Sequence, residues 1–151
     1  MEYLILFLPL IGSFISGFFG KKIGDKNSQI LTSSLVGFSA ILSLIVLYKV
    51  ISSDYSNNLV IATWINSGTL NINWSIKIDS LSAVMFVVVN LVSSLVHVYS
   101  IGYMSHDPHK SRFMAYLSLF TFAMLTLVSS DNFVQLFFGW EGVGLCSYFL
   151  I

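Results

Sequence analysis

Apolar residues fall into five long runs, at 3–20, 30–51, 81–104, 113–130 and 132–151, with short polar stretches between them. At about 1.5 Å per residue each run is roughly 27–36 Å long as a helix, enough to cross a hydrocarbon core about 30 Å thick. One stretch keeps a different period. Leu70, Ile72, Trp74, Ile76 and Ile78 alternate with Asn71, Asn73, Ser75 and Lys77, the period-two signature of a strand. Residues 60–65 form a second β-prone run, and Asn66-Ser67-Gly68 between the two is turn chemistry. The segment 52–77 is therefore expected to be an extramembrane β-hairpin, with Trp64 and Trp74 at the membrane interface. The predicted fold is an all-α polytopic membrane protein of about five transmembrane helices, with that hairpin between the second and third.

Local signals refine the runs. Pro9 sits inside the first and predicts a kink whose freed carbonyl needs another partner. Asp79-Ser80 reads as an N-cap for the third run. Ser129-Ser130-Asp131-Asn132 reads as a tight turn in which Asp131 or Ser130 caps the fifth helix, making the fourth and fifth an antiparallel pair. Lys21-Lys22-Ile23-Gly24-Asp25-Lys26 reads as a short basic loop.

Composition agrees with the runs. Charged residues make up 9% of the chain and hydrophobic ones 56%, with mean hydropathy +0.83, whereas a soluble domain carries about 25% charged residues. The formal net charge of zero gives no basic surface for nucleic acid. The first run follows Glu2 rather than a positive n-region, so it reads as a retained span, not a signal peptide. Lys21, Lys22, Lys26, Lys110 and Arg112 fall in two loops that share a side, and only Lys49 and Lys77 lie toward the other. The positive-inside rule makes the basic side cytoplasmic, or matrix in a mitochondrion, with the N-terminus and hairpin outside. The last run stops without a polar flank, which predicts a piece of a longer protein.

The candidate chemistry is sparse. Glu141 lies halfway along the fifth run. A carboxylate at mid-membrane costs about 2.5–3.5 kcal/mol on insertion scales, so such a residue is expected to face a bundle interior or a wet cavity and to be functional. Gly139, Gly142 and Cys146 form a small-residue stripe for close helix approach, while Gly144 and Tyr148 follow the acid on its own side. His97, toward the far end of the third run, is a candidate proton relay, or else a packed, hydrogen-bonded histidine. Asp79, at the edge of its run, reads as a cap or interface residue. His106, Asp107 and His109 surround Pro108, which breaks any metal-ligand spacing; a solvated loop anchored by Arg112 is the better reading, and no metal site is expected. Cys146 alone makes neither an intrachain disulfide nor an iron–sulfur cluster.

The stretch Gly139-Trp140-Glu141-Gly142-Val143-Gly144-Leu145-Cys146-Ser147-Tyr148 resembles the fifth helix of the chain 5 family, the largest antiporter-like membrane subunits of respiratory complex I (NADH-quinone oxidoreductase). Ile78-Asp79-Ser80-Leu81-Ser82, Tyr99-Ser100-Ile101-Gly102-Tyr103-Met104 and Arg112-Phe113-Met114-Ala115-Tyr116-Leu117 resemble it in the same order. Before Ile78 the likeness is one of layout. The resemblance implies a proton-translocating subunit of a bacterial or mitochondrial inner membrane, with Glu141 as its titrating carboxylate. The lysine that works with it is expected beyond Ile151. It also implies that this chain holds no cofactor, that NADH, FMN, iron–sulfur clusters and quinone belong to other subunits, and that its partners are lipid and the other membrane subunits, a neighbouring antiporter-like one included. Two alternatives stand beside it. The multi-subunit sodium/proton antiporters share the Trp-Glu pair, although Gly142-Val143-Gly144-Leu145-Cys146 favours the respiratory enzyme; the other alternative is a non-catalytic scaffold in which Glu141 only packs.

Overall fold

The computed structural model describes residues 1–53 and 55–151. Its elements are α1 (Glu2–Ile23), α2 (Asp25–Ser53), β1 (Asn57–Ser67), β2 (Leu70–Ile78), α3 (Ser80–Tyr103), α4 (Lys110–Val128) and α5 (Phe133–Leu150). All five helices are long and apolar enough to cross a membrane. The chain is a multi-pass membrane protein with a two-stranded hairpin between α2 and α3.

The helices extend past the apolar runs where polar residues can still serve them. The basic loop expected at 21–26 shrinks to one residue, Gly24, whose φ of 87° is open to glycine. On one side Lys21 and Lys22 sit in the last turn of α1, and on the other Asp25 sits in the first turn of α2, each sign suiting the dipole of its helix end. Asn27 Nδ2 donates back to Ile23 O at 3.0 Å. The apolar run marks what lies in lipid, and the hydrogen-bonded helix continues beyond it.

Pro9 does not interrupt α1. The carbonyl it orphans is that of Ile5, four residues earlier. Ser39 Oγ of α2 donates to that carbonyl at 2.8 Å and lies 3.0 Å from Asn90 Oδ1 of α3. The proline's freed carbonyl thus ties α1 to α2 through one serine, with Asn90 of α3 beside it.

α1 packs between α2 and α4, α2 between α1 and α3, and α3 also reaches α4, which closes a four-helix bundle; α5 packs against α4 on its outside. The bundle interior changes character along its length. Toward the hairpin end it is apolar: Ile5, Leu6, Val46, Phe86 and Leu125 are buried together with Ile76 and Ile78 of β2. Toward the basic end the seam is made of small polar residues. Ser16 Oγ hydrogen bonds to Ser28 Oγ and donates to Ser111 O at 2.7 Å. Small side chains let helix backbones approach closely where lipid supplies no hydrophobic drive between helices.

The hairpin pairs β1 and β2 antiparallel, with register irregularities between Val60 and Ala62 and between Thr63 and Ile65. Its turn lies later than Asn66-Ser67-Gly68: Ser67 still pairs with Leu70, leaving Gly68 and Thr69 as the loop. Gly68 takes φ 60°, the left-handed setting that two-residue hairpin turns demand. Asp54, in the polar segment before β1, lies outside the described residues.

The second strand has two partners. On one edge it meets β1; on the other, the α4–α5 connection replaces a third strand. Lys77 N donates to Ser129 O at 2.9 Å. The Gln135 side chain accepts from Ser75 N at 3.1 Å and donates to Ser75 O at 2.7 Å. Asn132 Nδ2 donates to Asn73 O at 2.8 Å. Asn132, rather than Asp131 or Ser130, caps α5, accepting from Gln135 N at 2.8 Å. Asp131 is instead engaged by Asn58 Nδ2 at 2.7 Å. Two-stranded sheets are marginal alone, and these side-chain bonds hold this one against the helices.

Candidate functional site

The geometry of α5 decides how Glu141 is presented. Gln135, Gly139 and Cys146 are buried, and they follow one another at helical spacing toward α4. A Cβ at Gly139 would come within 2.8 Å of the Leu127 backbone, and one at Gly142 within 3.1 Å of the Ala123 side chain. The small-residue stripe is therefore where α4 and α5 touch. Glu141 lies off the stripe and is exposed, as are Trp140, Gly144, Leu145 and Tyr148. A Cβ at Gly144 would meet nothing within 4 Å. The sequence places the acid toward a bundle interior or a wet cavity; in the structure it lies on the side of α5 away from this bundle. The reason is spacing: the glycines that must meet α4 claim the packed side, and Glu141 cannot share it.

His97 is fully buried in the α3–α4 seam. Its Nδ1 lies 2.7 Å from Ser93 O and its Nε2 lies 3.0 Å from Ser118 Oγ. A carbonyl only accepts, so Nδ1 carries the hydrogen in the neutral ring and Ser118 donates to Nε2. Ser93 Oγ also bonds Thr121 Oγ1, which donates to Leu117 O at 3.0 Å. Every polar group around the ring thus has a neutral partner.

Asp79 occupies the N-cap of α3. Ser82 N donates to Asp79 Oδ1 at 2.7 Å, and Asp79 N donates to Ser82 Oγ at 2.8 Å, a reciprocal capping box. The Ser82 amide, helped by Lys77 Nζ at 3.7 Å, holds the Asp79 carboxyl below its usual value. Arg112 Nε donates to Tyr116 OH at 3.1 Å, and its guanidinium sits 5.6 Å from that ring's centre. Asp107 turns onto the backbone of His109, its Oδ1 accepting from the amide at 2.7 Å. Among the described residues no three His, Cys, Asp or Glu side chains gather as a metal site.

The structure thus keeps the singled-out residues apart. Glu141, Gly144 and Tyr148 share the outward side of α5, His97 lies inside the bundle, and Asp79 and Arg112 stand at opposite ends. Gln135 and Asn132 are the residues that sequence reasoning missed. Their signal was a polar pair at the head of an apolar helix, and their partners, Ser75 and Asn73, lie about sixty residues away in sequence.

Comparison with known proteins bears on this arrangement. Residues 64–114 match the family described as NADH-Ubiquinone oxidoreductase (complex I), chain 5 N-terminus. Over its whole length the chain is 56% identical to NADH-ubiquinone oxidoreductase chain 5 of Arabidopsis thaliana, covering 23% of that protein. It is 56% identical to the chain 5 of Triticum aestivum, covering 22% of it. Against that of Phytophthora infestans it is 54% identical over 147 residues, again 22% of the relative. The chain belongs to the chain 5 family. The match includes the hairpin from Trp64 onward and, in the relatives, both first helices, so it reaches further toward the N-terminus than the motifs quoted above. The chain spans under a quarter of the length of these chain 5 relatives.

Proposed function

We propose that this chain forms the N-terminal transmembrane part of a proton-translocating subunit of an NADH:quinone oxidoreductase. The observation that carries the proposal is Glu141: a carboxylate midway along a membrane-spanning helix, on a side of α5 that this bundle leaves uncovered. Lipid is a poor surrounding for it, since a mid-membrane acid costs about 2.5–3.5 kcal/mol. A further helix bearing a cation would both cover and pair it. A carboxylate that gains and loses a cationic neighbour changes its proton affinity, and that change is how motion elsewhere would drive uptake and release. Lys77 does not serve, because it pairs with Asp79 at the helix boundary; Lys49 lies near the end of α2.

In this reading the chain holds no cofactor. NADH, FMN, iron–sulfur clusters and quinone belong to other subunits, and the chain's partners are lipid and further membrane subunits, including a neighbouring antiporter-like one. The relatives come from plants, fungi, an oomycete and a red alga, which favours the mitochondrial inner membrane, with the basic end in the matrix. His97 is the weaker candidate carrier, because both ring nitrogens already have neutral partners.

The test is Glu141→Gln in the full-length protein within its assembly. The amide keeps the shape and removes the titration. Proton translocation and the coupled NADH–quinone turnover should fall while assembly is intact, and Glu141→Asp should be milder. An assembled Gln variant that translocates protons at the normal ratio to electrons would show the carboxylate to be structural.

A further inference from the structure

The basic end of the bundle carries a recess that the function above does not use. It has a volume of about 630 Å³ and lies between the α1–α2 junction and the start of α4, with Lys21, Gly24, Asp25, His109, Ser111 and Arg112 around it. Among the described residues neither Lys21 nor Arg112 is paired with a carboxylate. Asp25 is the one acid on its wall. A second cavity, of about 380 Å³, continues from it along the α1–α4 seam, and Gly17 and Arg112 line both. Its other walls include Phe14, Phe18, Ala115 and Leu119. From Gly20 in the first cavity to Ser13 in the second is seven residues of α1, about 10 Å of depth.

We infer that the two cavities form one binding site for an anionic phospholipid of the leaflet on the basic side. The headgroup phosphate sits between Lys21 and Arg112, and the upper part of one acyl chain follows the groove past Gly17 toward Ser13. The charge argument is direct: among the described residues two cations without a carboxylate partner share the recess with one acid, Asp25, at the basic end of the membrane-spanning helices. Basic pockets between transmembrane helices on this side are a recognised setting for anionic headgroups. The apolar continuation selects a lipid over a soluble anion. Gly17 leaves the groove open, since a Cβ there would already touch the Ala115 Cβ at 3.6 Å. Arg112 lines both parts, its guanidinium held beside Tyr116 by the Nε–hydroxyl bond.

The experiment uses the full-length protein in its membrane assembly, reconstituted with a photoactivatable phosphatidylglycerol or with the matching phosphatidylcholine. Crosslinks are located by peptide mass spectrometry. Phosphatidylglycerol should label the peptides around residues 13–24 and 108–119 in clear preference to phosphatidylcholine. Each basic residue at a bilayer surface is worth about fivefold in affinity, so Lys21→Gln with Arg112→Gln should lower that labelling by about twentyfold or more. Lys21→Arg with Arg112→Lys keeps the charge and should restore it. Three results would overturn the proposal. Equal labelling by both lipids would mean an unselective annular contact. No labelling by either would mean that protein covers the groove. Displacement by millimolar inorganic phosphate would mean a site for a soluble anion.

Discussion

The two sides of α5 both carry glycine and have opposite fates. On one side Gln135, Gly139, Gly142 and Cys146 meet α4 and the hairpin with close contacts and paired polar groups. On the other, Trp140, Glu141, Gly144 and Tyr148 are exposed, and a Cβ at Gly144 would meet nothing within 4 Å. Glycine serves both, once by admitting a backbone and once by leaving space. One side is a finished interface, and the other is left uncovered by this chain's described residues. Cys146, buried on the finished side, is a natural reporter: its rate of labelling by a membrane-permeant maleimide follows separation of α4 from α5.

The largest expected effect comes from filling the finished side. In Gly139→Val the new side chain would meet Leu127 backbone atoms at 2.8 Å. Backbone cannot step aside as a flexible side chain can, so the cost should be about 3 kcal/mol, the upper part of the overpacking range. Cys146 labelling should accelerate by about a hundredfold. Gly144→Val should leave that rate nearly unchanged while lowering translocation in the full-length protein. Equal acceleration by both variants would erase the distinction between the two sides.

Removing the amide of Gln135 comes next. Gln135→Leu keeps the volume but strands the buried N–H and C=O of Ser75, at about 1–3 kcal/mol for each unsatisfied group. A loss of about 2–3 kcal/mol is expected, seen as faster amide exchange across β2 together with faster Cys146 labelling. Trp140→Leu, one residue before Glu141 and on the open side, should change neither.

Part of this was legible in the sequence. The five helices followed from apolar length, and the hairpin from period-two alternation at Leu70 to Ile78, because both are local and repeat. The stripe Gly139, Gly142, Cys146 was legible as a helix contact for the same reason. The direction of Glu141 was not. The cost of a buried charge argues for an interior, but it does not say whose interior, and the glycine stripe had already taken the side facing this bundle. The Gln135–Ser75 and Asn132–Asn73 ties were illegible because nothing local marks which distant strand an amide will complete. The cap of α5 moved to Asn132 for a related reason: Asp131 is drawn to Asn58 of the hairpin.

His97 offers an interior control for Glu141. His97→Gln retains a hydrogen-bonding side chain in the α3–α4 seam, but its amide takes the place of one ring nitrogen and not both, so Ser118 or Ser93 loses its partner at about 1 kcal/mol. Translocation by the assembled variant should stay within about twofold of the native rate, as expected for a group whose neutral partners are complete. A loss as deep as that of Glu141→Gln, at normal assembly, would instead make the histidine a carrier.

The smallest effect is the sharpest probe of what covers the open side. Alanine stabilises a helix over glycine by about 0.5–1 kcal/mol. In Gly142→Ala the methyl would sit 3.1 Å from the Ala123 Cβ, so a few tenths of an ångström of helix displacement should cancel that gain. In Gly144→Ala the methyl meets nothing within 4 Å in this chain. Its gain should survive and slow Cys146 labelling by about threefold. In the proposed reading the full-length protein adds a neighbour on this side. If that neighbour approaches α5 only through Glu141, across a hydrated gap, Gly144→Ala keeps its advantage. If a helix packs on this side as tightly as α4 packs on the other, the advantage disappears and Gly144→Ala behaves like Gly142→Ala. Comparing the two labelling rates therefore measures, to about one methyl group, how closely the partner of Glu141 comes.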